Sequence, residues 1–189
     1  DTISGTSTLQ VGSTNTSTIT LGVSGDTINV PSGVTIANSG TATGFAANTP
    51  AFSAYMDSNQ TLSNASWTLV NYDTETFDTN SAFNTTNKSF TVPSGEGGKY
   101  VIGFKYKSNS TGTIMRFISY INVDGNVKSF HETTQITGGN QPTAQGTTVL
   151  NLSAGEVVTI YAYQDSGGNS DLEGDFEDSY FYGYKLIGV

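Results

Sequence analysis

The chain has 189 residues, a net charge of −9 at pH 7 and no cysteine, with a pI near 4.2. Its acidity repels phosphate backbones and anionic lipids, which excludes nucleic acid as a partner. The lack of cysteine excludes disulfide bonds and thiolate metal sites. No apolar run is long enough for a membrane-spanning helix, so we expect no membrane insertion.

The beginning of the chain differs in composition from the rest. No Lys or Arg and no aromatic residue occurs before Phe45, whereas every Tyr, the single Trp and every Lys and Arg follow it. This shift predicts two domains, 1–46 and 47–189.

The first domain contains a short repeat. Residues 8–12, 18–22 and 27–31 each read Thr-apolar-polar-apolar followed by Gly or Pro, which predicts a short strand with a two-residue apolar face. Burying so few aliphatic side chains does not offset the entropy lost when one chain orders. We therefore predict a β-repeat fibre shaft in which three chains intertwine. A disordered, Thr- and Ser-rich linker is the alternative.

The second domain shows the alternation of β-strands. In residues 100–107 apolar side chains alternate with lysines, which predicts a strand with one face in the core and its lysines in water. Asp124-Gly125 predicts a hairpin turn. The other predicted strands are 51–56, 67–72, 88–92, 115–123, 127–134, 147–152, 157–164 and 179–187. With no credible helix, the sequence predicts an all-β fold, an antiparallel two-sheet jelly-roll sandwich with an N-terminal β-repeat stalk.

Several motifs in this domain resemble C1q-like domains of the C1q/TNF superfamily. LSAGEVV at 152–158 and FYGYKL at 181–186 are similar to the family's Leu-x-x-Gly-acid-x-Val and Phe-x-Gly-x-x-Leu strands. The aromatic signature also matches in order, at Tyr72, Asp78, Phe83, Phe90, Gly98, Tyr100, Ile102 and Phe104. Tyr72 stands where the family has Phe, Ile102 replaces an aromatic residue, and the turn at 94–97 is longer. Over residues 50–189 the resemblance implies a jelly-roll protomer in a homotrimer, commonly carried on a fibrous stalk. The repeats before it look like bacteriophage fibre and spike shafts.

The acidic segment 165–178 is a candidate metal site. It holds six acids and no base, and Ca²⁺ prefers oxygen ligands on Gly-containing loops. The resemblance also implies calcium near the trimer axis. We predict calcium, the one cofactor suggested, at Asp171, Glu173 and Asp175. The spacing is not that of an EF-hand, and a solvated charged loop is the alternative.

Catalytic motifs are absent from the sequence. His131 is the only histidine, no Gly-x-Ser-x-Gly elbow is present, and neighbouring acids on one loop lack the separated pair of a glycosidase. We therefore predict that the protein is not an enzyme and that His131 is a surface or strand residue.

Two loops at the end of the sandwich, 137–146 and 165–178, are better placed for recognition, because loops vary while the scaffold holds them. We predict receptor contacts at Asn140, Gln141 and Asn169. The strand tyrosines at 161, 163, 180, 182 and 184 are predicted to lie in the core or in an interface rather than to form a ligand platform.

Together these features predict an extracellular, homotrimeric fibre or spike of a virion, of the bacteriophage type. Its C1q-like tip would bind a host-surface glycan or protein, and its shaft would contact other virion proteins. The alternatives are a structural decoration or assembly protein of the virion, a secreted or bacterial-surface C1q-like recognition protein, and an enzyme.

Overall fold

Residues 23–35, 49–109, 114–136 and 141–187 are described by the computed structural model. The chain divides into two compact units, Asp1–Phe45 and Ala46–Val189. Within the described ranges the regular structure is all β, and no helix there could cross a lipid bilayer.

The described part of the first unit, residues 23–35, forms no strand. Its turns are closed by the Asp26 N–H to the Val23 carbonyl (3.0 Å) and by the Val34 N–H to the Pro31 carbonyl (3.2 Å). All of its side chains are exposed. Residues 27–31 therefore form no strand, contrary to the prediction. The other two repeats lie outside the described residues, and the three-chain shaft stays a prediction.

The described residues of the second unit form thirteen strands. They are β1 (Ala51–Tyr55), β2 (Gln60–Leu62), β3 (Thr68–Leu69), β4 (Thr74–Asp78), β5 (Phe83–Asn84), β6 (Ser89–Thr91), β7 (Gly98–Lys107), β8 (Ile114–Val123), β9 (Asn126–Ile136), β10 (Thr143–Leu152), β11 (Val157–Gln164), β12 (Ser170–Leu172) and β13 (Tyr180–Lys185).

These strands form two antiparallel sheets and a short ribbon. The first sheet has the order β10-β7-β13-β1-β4, and the second has the order β5-β6-β11-β8-β9 with β3 also beside β11. The ribbon pairs β12 with β2. Chain neighbours such as β6 and β7 lie in different sheets, as the crossing connections of a jelly roll require. The predicted two-sheet jelly roll is confirmed.

Aromatic side chains fill the space between the sheets. Phe52 of the first sheet stacks on Phe83 and Phe90 of the second, with ring centres 5.1 and 4.6 Å apart. Phe181 meets Phe52 edge-on at 4.9 Å. Each buried Phe contributes about 1.5–3 kcal/mol by leaving water, so this cluster helps to hold the two sheets together.

Three buried tyrosines keep their hydroxyls hydrogen-bonded. Tyr72 donates to the Lys105 carbonyl (3.0 Å) and Tyr100 to the Glu96 carbonyl (2.6 Å), while Tyr106 shares a 2.6 Å bond with Ser119 Oγ. Burial raises the pKa of Tyr100 to about 12. These bonds remove the cost of burying an unpaired polar group, which explains how a polar aromatic residue occupies core positions.

The long alternating strands and the hairpin were predicted correctly. Asp124 and Gly125 have φ of 49° and 80°, the left-handed pair that a tight hairpin turn needs. The prediction for 67–72 was wrong, because only Thr68–Leu69 is a strand there. The strands β2, β4, β5 and β12 were not predicted. Three of these have only two or three residues, too few to show alternation.

Candidate functional site

The three residues predicted to bind calcium have different partners. Asp171 Oδ1 accepts a hydrogen bond from Thr61 Oγ1 (2.6 Å), and Asp175 Oδ1 accepts one from the Glu177 N–H (3.0 Å). Glu173 forms an ion pair with Lys107 (2.7 Å). Across the described part of the chain, no group of three or more His, Asp or Glu side chains is arranged to hold a metal ion. Calcium binding therefore stays a prediction without a preformed site in one chain.

Lysines of β7 form ion pairs with two acids of this segment, Glu173 and Asp178. Lys107 Nζ lies 2.7 Å from Glu173 and 3.0 Å from Asp178, and Lys105 Nζ lies 3.8 Å from Asp178. Hydrogen bonding from Lys107 lowers the pKa of Asp178, and the bond to Glu173 raises the pKa of Lys107. The segment is also less solvated than the alternative of a charged loop in water implies, because Ser170 and Leu172 within it are buried. The lysines predicted to point into water thus hold the segment against the first sheet.

The three residues predicted to contact a receptor differ in their surroundings. Asn140 lies outside the described residues. Gln141 is exposed and donates from Nε2 to Glu173 Oε1 (2.8 Å), so it connects the two loops predicted for recognition. Asn169 is exposed in the turn between β11 and β12. The role of all three residues in receptor binding stays a prediction.

The outward side of the first sheet is rich in tyrosine. Tyr180, Tyr182 and Tyr184 of β13 point outward, and Val101 of the adjacent β7 lies between Tyr184 and Val149 of β10. We call these five residues the tyrosine face. All are half-buried except Val149, which is 57% exposed. The tyrosines alternate with the buried Phe181.

A glycine allows the tyrosine face to pack closely. A Cβ atom at Gly103 would lie 2.4 Å from the Tyr182 ring, so the ring rests directly on the β7 backbone. The Tyr182 hydroxyl reaches Thr147 Oγ1 at 3.0 Å. Beside it is a groove of about 380 Å³, lined by Phe104, Gln145, Gly146, Thr147, Tyr180 and Tyr182.

The outward side of the second sheet carries a cluster of aromatic rings, which we call the aromatic patch: Trp67, Tyr120, Phe130, Tyr161 and Tyr163. The Trp67 ring centre lies 4.5 Å from Tyr120 and 5.2 Å from Tyr163. Tyr120 also stacks on Tyr161 at 5.1 Å and meets Phe130 edge-on at 5.8 Å. Trp67 is 41% and Phe130 63% exposed. Clusters of large exposed rings are typical of interaction sites.

Polar groups stand at both ends of the aromatic patch. At one end, Arg116 forms an ion pair with Asp165 (2.8 Å), and its guanidinium carbon lies 5.9 Å from the centre of the Tyr163 ring. At the other end, Asn122 Nδ2 donates to Thr159 Oγ1 (3.1 Å). The patch thus combines ring surfaces with hydrogen-bonding groups.

His131 lies at the edge of the sandwich where β9 faces β10. A Cβ atom at Gly146 of β10 would lie 2.4–2.5 Å from the imidazole, and the ring meets Phe104 edge-on at 5.3 Å. Its Nε2 lies 2.9 Å from Ser129 Oγ. His131 is therefore a partly buried strand residue, one of the two roles predicted for it.

We expect His131 to make stability depend on pH. Burial lowers its pKa below the ordinary 6.5, so the unfolded chain binds a proton here at a higher pH than the folded chain does. Its contribution to stability is therefore complete above about pH 6.5 and is lost as the pH falls through the lowered folded pKa. Urea unfolding of the wild type and of His131→Gln, at pH 7.5 and 5.5 and equal chain concentration, measures this contribution. A loss of stability of equal size in the two proteins would contradict it, because the carboxylates titrate in both.

The strand arrangement has relatives among solved structures. Eiger TNF from S. frugiperda is similar, with a TM-score of 0.57 at 11% identity over 76% of this chain and 96% of that chain. The globular domain of zebrafish complement 1qA protein has a TM-score of 0.52 at 19% identity over 74% and 98%. Murine APRIL at pH 8.0 has a TM-score of 0.54 at 10% identity, over 72% of this chain and 98% of that chain. The fold is a TNF/C1q-type jelly roll. No protein-family model matches the sequence, and no curated protein is significantly similar to it.

In this TNF/C1q-type jelly roll the Phe-x-Gly spacing of the last strand has a packing reason. Phe181 and Gly183 face the core from one side of β13, and Phe181 is fully buried. A Cβ atom at Gly183 would lie 2.7 Å from the Phe52 ring and 2.8 Å from Ile102 Cδ1. The motif therefore places the Phe181 ring near a position without a side chain. Phe52 of β1 and Ile102 of β7 occupy the space that Gly183 leaves.

Sequence reasoning did not identify the aromatic patch. Tyr161 and Tyr163 were recognised as sharing a strand face but were assigned to the core or an interface. A usable signal was the position of Phe130 between Lys128 and Glu132. Residues two apart share one side of a strand, and two charged side chains indicate that this side of β9 faces outward. Trp67 gave no signal, because it precedes a strand of only two residues.

Proposed function

We propose that this chain is the homotrimeric tip of a virion fibre or spike, of the bacteriophage type, which binds a host-surface glycan or protein and catalyses no reaction. The observation that carries the proposal is the tyrosine face. Together with the TNF/C1q-type jelly roll and the repeat that precedes it, this face supports assembly of three copies.

The tyrosine face has the composition of a protein interface. Tyrosine offers a large apolar surface and a hydroxyl that can bond across a contact. Packing this face against a neighbouring copy removes from water the exposed Val149 and the outward sides of Tyr180, Tyr182 and Tyr184. Burial of this area favours association by about 25 cal/mol per Å² of apolar surface.

Electrostatics also favour contact through the first sheet. One chain carries a charge of −9, so copies repel each other unless acids are kept out of the contact. The strands β1, β7, β10 and β13 contain no Asp or Glu. The face can therefore meet another copy without bringing carboxylates together.

A trimeric tip is well suited to attachment to a host cell. Three identical tips on one stalk convert a weak single-site interaction into strong overall binding. The resemblance of the N-terminal repeat to fibre shafts supports a place on a virion, and the aromatic patch supplies a surface for recognition. Neither feature requires a reactive group.

Light scattering of the full chain tests the assembly. We expect 59.7 kDa, three times the 19.9 kDa of one chain, and a mass that does not change on dilution. Repeating the measurement in a chelator tests the predicted calcium. Adsorption of the fluorescently labelled chain to a panel of bacterial strains, and protection of those cells from infection, tests attachment. A trimer that adsorbs to no strain would indicate a structural virion part, and a monomer would contradict the proposal.

A further inference from the structure

The aromatic patch lies on the second sheet, on the opposite side of the sandwich from the tyrosine face. Assembly through the first sheet therefore leaves the patch facing solvent, where each of three copies presents one. Resting on the proposed function, we infer that the aromatic patch binds the neutral pyranose rings of a host-surface glycan.

Ring chemistry supports a sugar as the occupant. A pyranose has faces made of C–H groups, which pack on aromatic rings, and an equatorial belt of hydroxyls, which needs hydrogen-bonding partners. The patch offers both: ring centres 4.5–5.8 Å apart along Trp67, Tyr120, Phe130 and Tyr161, and polar groups beyond them. The rings also contact each other, so the patch is formed before a ligand arrives and little side-chain entropy is lost on binding.

The charges around the patch favour a neutral ligand. Arg116 is neutralised by Asp165 at 2.8 Å. On the outward side of β9, Lys128 and Glu132 stand on either side of Phe130 and balance each other. With no net charge at the patch and −9 on the whole chain, an anionic glycan finds no attraction and is repelled at long range. A protein partner would need complementary charge of its own at these positions, whereas a neutral sugar needs none.

The chain carries its own reporter for the test, because Trp67 is its single tryptophan. We would screen the full-length protein on an array of neutral and anionic glycans, then titrate the best neutral oligosaccharide while recording Trp67 fluorescence. We expect binding to neutral glycans and a saturable change in emission. Phe130→Ala should weaken binding at least tenfold. Phe77→Ala is the matched control, since Phe77 is 49% exposed on the first sheet and its loss should leave the affinity unchanged.

Adsorption to enzymatically or chemically treated cells distinguishes the two sources of such a glycan, a glycoprotein or a polysaccharide or lipid. Periodate, which oxidises sugar diols, should abolish adsorption of the wild-type chain. Protease treatment should abolish adsorption as well if the sugar is on a glycoprotein, and should leave it intact if the sugar belongs to a polysaccharide or a lipid.

Three results would overturn the inference. They are binding confined to anionic glycans, an equal affinity for Phe130→Ala and wild type, and adsorption that survives periodate. A trimer that adsorbs to cells but binds no neutral glycan would reject this inference and leave the proposed function standing. A monomer that adsorbs to no cell would reject the proposed function itself.

Discussion

Val149→Glu is expected to separate the proposed trimer into monomers of 19.9 kDa. Within one chain the change is mild, because Val149 is 57% exposed and surface substitutions alter stability by only about 0.5 kcal/mol. In an assembly through the tyrosine face, the new carboxylate is buried without a partner in each of three copies. Each such burial costs several kcal/mol, so light scattering at micromolar concentration should detect only the monomer.

Val127→Glu is the matched control. Val127 is the second residue of β9 in the second sheet and is 43% exposed. It therefore receives the same substitution at similar exposure, away from the tyrosine face. We expect this variant to keep the mass of 59.7 kDa, three times that of one chain. Circular dichroism of both variants should match the wild type. If Val149→Glu remains trimeric, the tyrosine face is not the interface.

Gly174→Ala is expected to destabilise the second unit severely. A Cβ atom at this position would lie 2.0 Å from the carbonyl carbon of Ser58, and backbone atoms cannot move aside as a flexible side chain can. Overpacking typically costs about 1–3 kcal/mol and occasionally more. Since about 1 kcal/mol shifts the midpoint by roughly 2–4 °C for a chain of this size, we expect thermal unfolding roughly 2–12 °C below the wild type.

Gly168→Ala controls for the loss of a glycine in the same acidic segment. Nothing lies within 4 Å of a Cβ atom at Gly168, so its melting temperature should stay within about 1–2 °C of the wild type. Both variants should be compared at one chain concentration, because association shifts apparent stability. Equal melting temperatures for the two variants would mean that the contact with Ser58 yields at little cost.

The parts of the fold that sequence reasoning predicted share one physical basis. β7 and β11 alternate side chains over eight or more residues, and the core accepts only one of their two faces, so periodicity alone identifies the buried residues. The Asp124-Gly125 turn was equally predictable, since few residue pairs adopt left-handed φ at low cost.

The parts that were missed depend on contacts between distant segments. The pairing of Lys107 with Glu173 joins residues 66 positions apart, and no local pattern indicates which lysine neutralises which acid. Trp67 joins the aromatic patch only because β3 pairs with β11. An exposed binding surface also breaks the rule that apolar residues lie inside, so a reading based on burial assigns its rings to the core or an interface.

The hydrogen bond between Gln141 and Glu173 makes two segments of the chain depend on each other. It connects the segment after β9 to the segment after β12, and Glu173 is itself anchored by Lys107 of β7. A sequence grafted into either segment alone would leave the other without its partner. Transfer of these segments into another protein should therefore preserve the contact only when both are moved as one unit together with Lys107.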